Sequence, residues 1–343
     1  MNRREKFLAA LGGEAISPPP LWFMRQAGRY LPEYRATRAE AGSFLDLCYD
    51  SEKAAEVTYQ PIRRYDTDAA ILFADILLIP DGLGQGVSFV QGEGPKLFPP
   101  LRAENFDDLS YEKFDETLSP IYETVRQLRA GLGDATALIG FAGAPWTVAT
   151  YMIGGGTQRD PSALRRYYYD DPSFVDRLIS LLVEATAKYL IKQADAGADA
   201  IQLFDTWAGG LPEDLTRRLS LEPMARIAEM VRSAHPDIPF ILFPKGVGPL
   251  AKEYAGLGIC DGIGIDTGMP WDWARDNLSP LACVQGGLDP LLVVAGGAPM
   301  HDAARRLKET FQGTPYIFNL GHGFVPETPP AHVAELVDTV RSS

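Results

Sequence analysis

The sequence predicts an α/β protein: a single closed barrel of eight strand and helix units, one domain over residues 1–343. Eight short apolar runs recur along the chain, and most are continuous rather than alternating, as strands covered on both faces require. Helix-like stretches separate several of them, and strand followed by helix in repetition yields a parallel sheet. The length of 343 residues suits one barrel with insertions.

The runs fall at 21–24, 69–73, 137–141, 200–204, 239–243, 262–265, 282–284 and 316–320. Residues 83–110 interrupt the alternation. They are rich in glycine, with possible hairpin strands at 87–90 and 96–98, and read as an insertion after strand two that could wall a site. The clearest helix is expected after Pro172, with Ser173 as cap and Asp176 three residues on, burying Phe174, Leu178, Leu182 and Ala185 and ending at Gly197. The last is expected to take Thr328 as cap and Pro329 at its first position, burying Val333, Leu336, Val337 and Val340. Together these features spell a (β/α)8 TIM barrel with a hairpin-like insertion after strand 2.

Composition excludes several functions. With 45 acidic and 32 basic residues the net charge is −13, which opposes nucleic-acid binding. No apolar run approaches the ~18 residues a membrane span needs, and the basic Arg3, Arg4 and Lys6 precede too short an apolar stretch for a signal peptide. Cys48, Cys260 and Cys283 are scattered, so neither a disulfide framework nor a structural zinc site is signalled, and the cytoplasm is the expected compartment. No HExxH spacing or His/Cys cluster supports a metal, and no GxGxxG or Walker turn supports a nucleotide.

Three motifs carry the chemistry. Met24-Arg25-Gln26-Ala27-Gly28-Arg29-Tyr30 follows the first run. Its two guanidiniums share a helix face or flank a loop around Gly28, and make a bidentate clamp for carboxylates or phosphates. The bland alternative is salt bridging to Glu33, which the position just beyond a barrel strand disfavours. Phe73-Ala74-Asp75-Ile76 places a lone carboxylate in apolar surroundings, where it needs donors or a cation to stay ionised and can steady positive charge. Asn319-Leu320-Gly321-His322-Gly323 follows the eighth run, and its glycines leave an accessible imidazole that could donate to a carboxylate or relay a proton.

Other segments are secondary. The small residues from Gly140 to Gly156 let backbone approach a bulky flat ligand, with Tyr151 offering a hydroxyl and Trp146 packing. Thr206 provides a hydroxyl beyond strand four, while Asp205 fixes the loop. Lys245, Asp266 and Asp289 sit on similar rims and read as loop or cap residues. His235, His301 and His332 are expected to face solvent.

Taken in order, the segments 24–32, 73–80, 140–152, 204–209 and 319–323 resemble the uroporphyrinogen decarboxylase family over almost the whole chain. The resemblance implies a cofactor-independent homodimer, with no metal, that converts the four acetates of uroporphyrinogen III to methyl groups in tetrapyrrole biosynthesis, giving coproporphyrinogen III. It implies that Arg25, Gln26, Ala27, Gly28, Arg29, Tyr151, Thr206 and His322 bind substrate and that Asp75 binds it and is catalytic. Thr206, Gly287 and Gly154 depart from residues common in the family; Thr206 keeps the hydroxyl. A thiol methyltransferase of the same superfamily is a rival that would need clustered His and Cys ligands; a non-enzymatic tetrapyrrole carrier is another.

Overall fold

The computed structural model describes residues 1–90, 93–157 and 162–342. Its strands are β1 (Ala69–Ile71), β2 (Gly86–Val90), β3 (Gly94–Phe98), β4 (Ala137–Gly143), β5 (Ala200–Asp205), β6 (Phe240–Pro244), β7 (Gly262–Ile265), β8 (Cys283–Gly286) and β9 (Tyr316–Ile317). Seven form one curled parallel sheet in the order β1-β4-β5-β6-β7-β8-β9. Helices connect them, as parallel neighbours require.

The two edges of that sheet meet the same segment. Phe318 N donates to Pro20 O at 2.9 Å and Trp22 N to Phe318 O at 3.3 Å on one side. On the other, Asp68 N donates to Leu21 O at 2.8 Å while Leu21 N donates to the Asp68 carboxylate at 2.9 Å. The expected first strand is therefore reduced to a parallel bridge between Leu21 and Phe318. Three prolines, Pro18 to Pro20, precede it without N–H groups. Beyond it, side chains take the ladder's donors: Phe23 N donates to Gln26 Oε1 at 3.1 Å and Met24 N to Asn319 Oδ1 at 3.0 Å.

The curl encloses an inner core: Trp22, Met24, Ala69, Ala137, Ile139, Ala200, Ile241, Phe243, Cys283 and Ile317. Alanines begin β1, β4 and β5, and the space they leave is filled by Phe7, Ala10 and Leu11 of the helix Arg3–Leu11. Arg4 locks that helix beneath the sheet through the Asp199 carboxylate, at 2.9 and 2.7 Å. Halfway up, Trp22 Nε1 donates to Gln285 Oε1 at 2.8 Å and Gln285 Nε2 to Gln202 Oε1 at 3.1 Å, pairing polar groups that would be costly to bury alone. The sheet is thus plugged at the N-terminal ends of its strands, and chemistry is left to the other end.

A second, larger core lies between sheet and helices. The helix Pro172–Asp195 buries Phe174, Leu178, Leu182 and Ala185 as expected, but its cap is Asp171, whose side chain accepts from Phe174 N at 3.0 Å. Pro172 takes the first position, which places Ser173 inside the helix. That helix starts two residues early; the final one starts one residue late, at Pro330 with Pro329 as cap, and among the described residues the hydroxyl of Thr328 has no partner. Its expected face of Val333, Leu336, Val337 and Val340 is buried.

Between β1 and β4, β2 and β3 pair antiparallel; residues 91 and 92 at their tip lie outside the described residues. The hairpin docks on the end of the helix Pro145–Gly154, with Leu97 N donating to Gly155 O at 3.1 Å and Lys96 bridging Gly156. Gly143 and Gly156 let the protein's own segments pack closely. A Cβ on Gly156 would stand 2.6 Å from Pro95 O, and one on Gly143 would stand 2.8 Å from both Ile76 and Val148. The other histidines are half-buried and partnered rather than solvent-facing: His235 to Asp195 at 3.0 Å, His301 to Thr339 at 2.7 Å and His332 to Val293 O at 2.9 Å.

Phe7 is fully buried in the plug. Phe7→Ala should lower unfolding free energy by about 3–5 kcal/mol in chemical denaturation; a change within 0.5 kcal/mol, the size of an ordinary surface effect, would mean the plug is not part of the core.

Candidate active site

The candidate residues lie beyond the C-terminal ends of the strands, the end where loops of parallel α/β folds assemble sites. Arg25 and Arg29 follow the 20–22 segment, Asp75 follows β1, Tyr151 lies on the helix after β4, Thr206 follows β5 and His322 follows β9. Arg25 lies at the centre of this group. Its charge acts on Arg29, Tyr151, Asp75 and His322.

Backbone geometry explains how Arg25 is presented. Its φ is +59°, a left-handed conformation that costs a non-glycine residue about 1–3 kcal/mol. The neighbours enforce it. Gln26 N donates to Phe23 O at 3.0 Å, Phe324 N to Met24 O at 3.1 Å and Met24 N to Asn319 Oδ1 at 3.0 Å. The fully buried Asn319 accepts also from Leu320 N at 2.7 Å, so one amide fixes the turns bearing Arg25 and His322 together. The segment after Met24 is a turn rather than a helix, so Arg25 and Arg29 are neighbours around Gly28, both exposed.

The salt-bridge alternative does not form. Glu33 is held by Arg64 at 2.7 and 2.9 Å, and among the described residues neither Arg25 nor Arg29 has an ion-pair partner. Lost hydration, then the like charge of Arg29, pulls the Arg25 guanidinium below its ordinary value. It starts so high that it stays charged.

Gln26 differs from the expectation. Its side chain is buried in the wall, donating to Ala69 O at 3.1 Å and accepting from Phe23 N, so its amide does not reach the mouth. Ala27 and Gly28 are half-buried parts of the same turn, in which Gly28 O accepts from Leu31 N at 3.0 Å.

Asp75 accepts one hydrogen bond, from Leu77 N at 2.9 Å, and its other carboxylate oxygen has no partner among the described residues. Burial raises its pKa to about 6, against the lowering effects of the Leu77 bond and of Arg25. At neutral pH it is an ionised, under-solvated acceptor. Tyr151 faces the same space, edge-on to Trp207 with ring centroids 6.4 Å apart, and burial raises its hydroxyl pKa.

Asp205 fixes its loop as expected. Fully buried, it accepts from Thr147 Oγ1 and from Ser220 Oγ at 2.5 Å each, and Thr147 in turn accepts from Trp207 N at 3.1 Å. That network holds the adjacent Thr206, whose half-buried hydroxyl makes no hydrogen bond among the described residues.

His322 is less open than its glycine neighbours suggest. A Cβ on Gly321 would stand 2.5 Å from Thr267 N, and one on Gly323 2.4 Å from Arg25 Cδ, so both spaces are already filled. Burial, then Arg25 and Lys245, lowers the imidazole pKa to about 4. It is neutral at pH 7, with a buried Nδ1 that has no partner among the described residues.

Asn319 and Trp207 are contributors whose roles the sequence reading missed; a polar Asn319 ending an apolar run was the available signal. Asp289 caps the helix Pro290–Ala295, and Asp266 accepts from Gly246 N at 2.6 Å and Gly268 N at 2.7 Å, matching their reading as loop residues. Among the described residues, no group of three His, Cys, Asp or Glu side chains is placed to hold a metal ion, and no helix is long and apolar enough to cross a membrane.

Fold and site define a parallel α/β protein whose sheet opens, at its strand ends, on Arg25 and Arg29, without ion-pair partners among the described residues, beside the Asp75 carboxylate. The fold is shared with a methyltransferase from Methanosarcina mazei, at a TM-score of 0.81 and 16% identity over 99% of this chain and 98% of the other. The sequence profile of the uroporphyrinogen decarboxylase family matches residues 2–343. Uroporphyrinogen decarboxylase of Rhodospirillum rubrum is 53% identical over 99% of this chain and 97% of its own, and that of Jannaschia sp. 49% identical over the full length of both. The chain belongs to the uroporphyrinogen decarboxylase family.

Two outcomes follow from this geometry. Gly323→Ala should displace the Arg25 stem and lower kcat/KM at least about tenfold with little change in circular dichroism; unchanged kinetics would detach Arg25 from the site. The raised pKa of Asp75 means that ionisation opposes folding: the penalty is present above about pH 6 and vanishes below about 4. Asp75→Asn should therefore stabilise the free protein by about 1–3 kcal/mol at pH 7 and by almost nothing at pH 4, read from denaturation midpoints. Destabilisation at pH 7 would contradict the placement.

Proposed function

We propose that this protein decarboxylates uroporphyrinogen III, turning its four acetate side chains into methyl groups and yielding coproporphyrinogen III and CO2 in tetrapyrrole biosynthesis. The observation that carries the reading is the unpaired Arg25 and Arg29 beside an Asp75 carboxylate with one free oxygen. Family membership at about half identity over the full chain supports the same substrate. The scaffold is read as a single-domain (β/α)8 barrel with the 21–24 segment as first stave and the β2–β3 hairpin inserted after the second. The enzyme works as a cytoplasmic homodimer without metal or organic cofactor.

The chemistry asks for these residue types. The substrate is a ring of four pyrroles bearing eight carboxylates. Arg25 and Arg29, with the backbone of the 25–29 turn, His322 and the Thr206 hydroxyl, take the rim acids; Tyr151 lines the ring. The free oxygen of Asp75 accepts pyrrole N–H groups turned inward. For each acetate, a proton adds to a pyrrole α-carbon and makes the ring cationic. The acetate C–C bond then breaks, its electrons flow into the ring and CO2 leaves. A second proton adds to the exocyclic carbon as the first departs, so one proton replaces one CO2. The cation lies near Asp75, where a unit charge ~4 Å away at an effective dielectric of ~20 gains about 4 kcal/mol, or roughly a thousandfold in rate. His322, neutral at pH 7, serves as a hydrogen-bond donor to a carboxylate rather than as a standing acid.

Anaerobic incubation with uroporphyrinogen III should release CO2 and give four-carboxyl porphyrin after oxidation, in a metal-free preparation as well; binding without CO2 release would favour a carrier. Asp75→Asn should lower kcat about a thousandfold with KM within a fewfold; full activity would remove Asp75 from the mechanism. Because Asp75 must be ionised, kcat/KM should fall as pH drops through about 6, and a profile flat to pH 4.5 would contradict this.

A further inference from the structure

We infer that Lys245 is a further substrate-binding residue, gripping a peripheral carboxylate on the side of the mouth opposite Arg25 and Arg29; this rests on the reading above. Sequence position alone makes Lys245 an ordinary loop residue. Strand parity makes it more. Ile241 and Phe243 of β6 lie in the inner core, and Lys245 continues their alternation just beyond the strand end. Asp205 pairs in register with Pro244, which sets Lys245 beside Thr206, itself two residues beyond the inner-core Phe204.

The backbone is built for position. Lys245 N donates to Asp205 O at 3.1 Å and Lys245 O accepts from Gly209 N at 2.9 Å. The buried Asp205 network therefore fixes Lys245 together with Thr206. The side chain is half-buried, and among the described residues no carboxylate pairs with it. Asp266, which meets the neighbouring Gly246, is engaged with Gly246 N and Gly268 N. The Lys245 charge is felt by His322, whose buried Nδ1 has no partner among the described residues.

Counting around the sheet, β6 is four strands from the 20–22 segment in either direction. A ligand with acids around its whole rim needs cations on both sides, and Lys245 supplies the far one. Its compact ammonium, on the loop next to Thr206 and near enough for its charge to act on His322, makes a one-carboxylate seat rather than a bidentate fork.

The test is steady-state anaerobic kinetics of Lys245→Met and Lys245→Arg with uroporphyrinogen. Lys245→Met should raise KM about tenfold with kcat within about twofold, and should flatten the rise of KM with salt; Lys245→Arg should restore most of both. A merely structural lysine would not alter the salt dependence. Wild-type KM and salt slope in Lys245→Met would overturn the inference while leaving the proposed reaction intact; a wild-type protein that releases no CO2 would instead sink the proposed reaction.

Discussion

The attraction between Arg25 and Asp75 is felt but never consummated, and the site depends on that restraint. Each shifts the other's ionisation, yet they form no ion pair. Were they to meet, the mouth would be neutralised and both groups satisfied by one another. Two backbone devices keep them apart. Leu77 N fixes one oxygen of Asp75, and the pinned left-handed turn aims the Arg25 stem across Gly323. What remains is positive charge at the rim beside an unsatisfied carboxylate oxygen, which the proposed ligand, anionic at its edge and a hydrogen-bond donor at its centre, would complement.

Such preorganisation sits uneasily with stability. A carboxylate raised to about 6, an arginine at positive φ and an imidazole with an unpartnered nitrogen each disfavour the folded chain. The remainder of the fold must outweigh them. It does so with a sheet stitched at both edges to the 20–22 segment, a plug of Phe7 and Leu11 beneath and hydrogen-bonded glutamines within. The acidic surface and cationic mouth are compatible for the same reason: screening confines the rim's field to about 8 Å at physiological salt.

Much of this was legible in the sequence, because apolar continuity and period are local properties. Seven of the eight runs mark strands of the sheet and the first marks the segment bridged to its edge, and the faces of the helices Pro172–Asp195 and Pro330–Arg341 follow directly from spacing. Arg25, Asp75 and His322 stood out as polar residues just past apolar runs. What was hidden depends on partners distant in sequence. The 21–24 run looks like a full strand until Gln26 and Asn319 take its donors. The Gln26 amide reads as a ligand contact until Ala69 O and Phe23 N are seen to hold it, which leaves only its backbone to the mouth. The glycines around His322 signal access, yet Arg25 and Thr267 fill them. Charge environment is equally non-local: the imidazole's pKa of about 4 reflects burial and two cations from other strands.

The central claim is that Asp75 and the arginines address different parts of one ligand. A crystal structure with coproporphyrinogen, grown without oxygen, tests it most directly. The account predicts the free oxygen of Asp75 within hydrogen-bond distance of pyrrole nitrogens, with rim carboxylates on Arg25 or Arg29. A ring bound with its nitrogens turned away from Asp75, or an Asp75 closed onto Arg25 beneath it, would contradict the account.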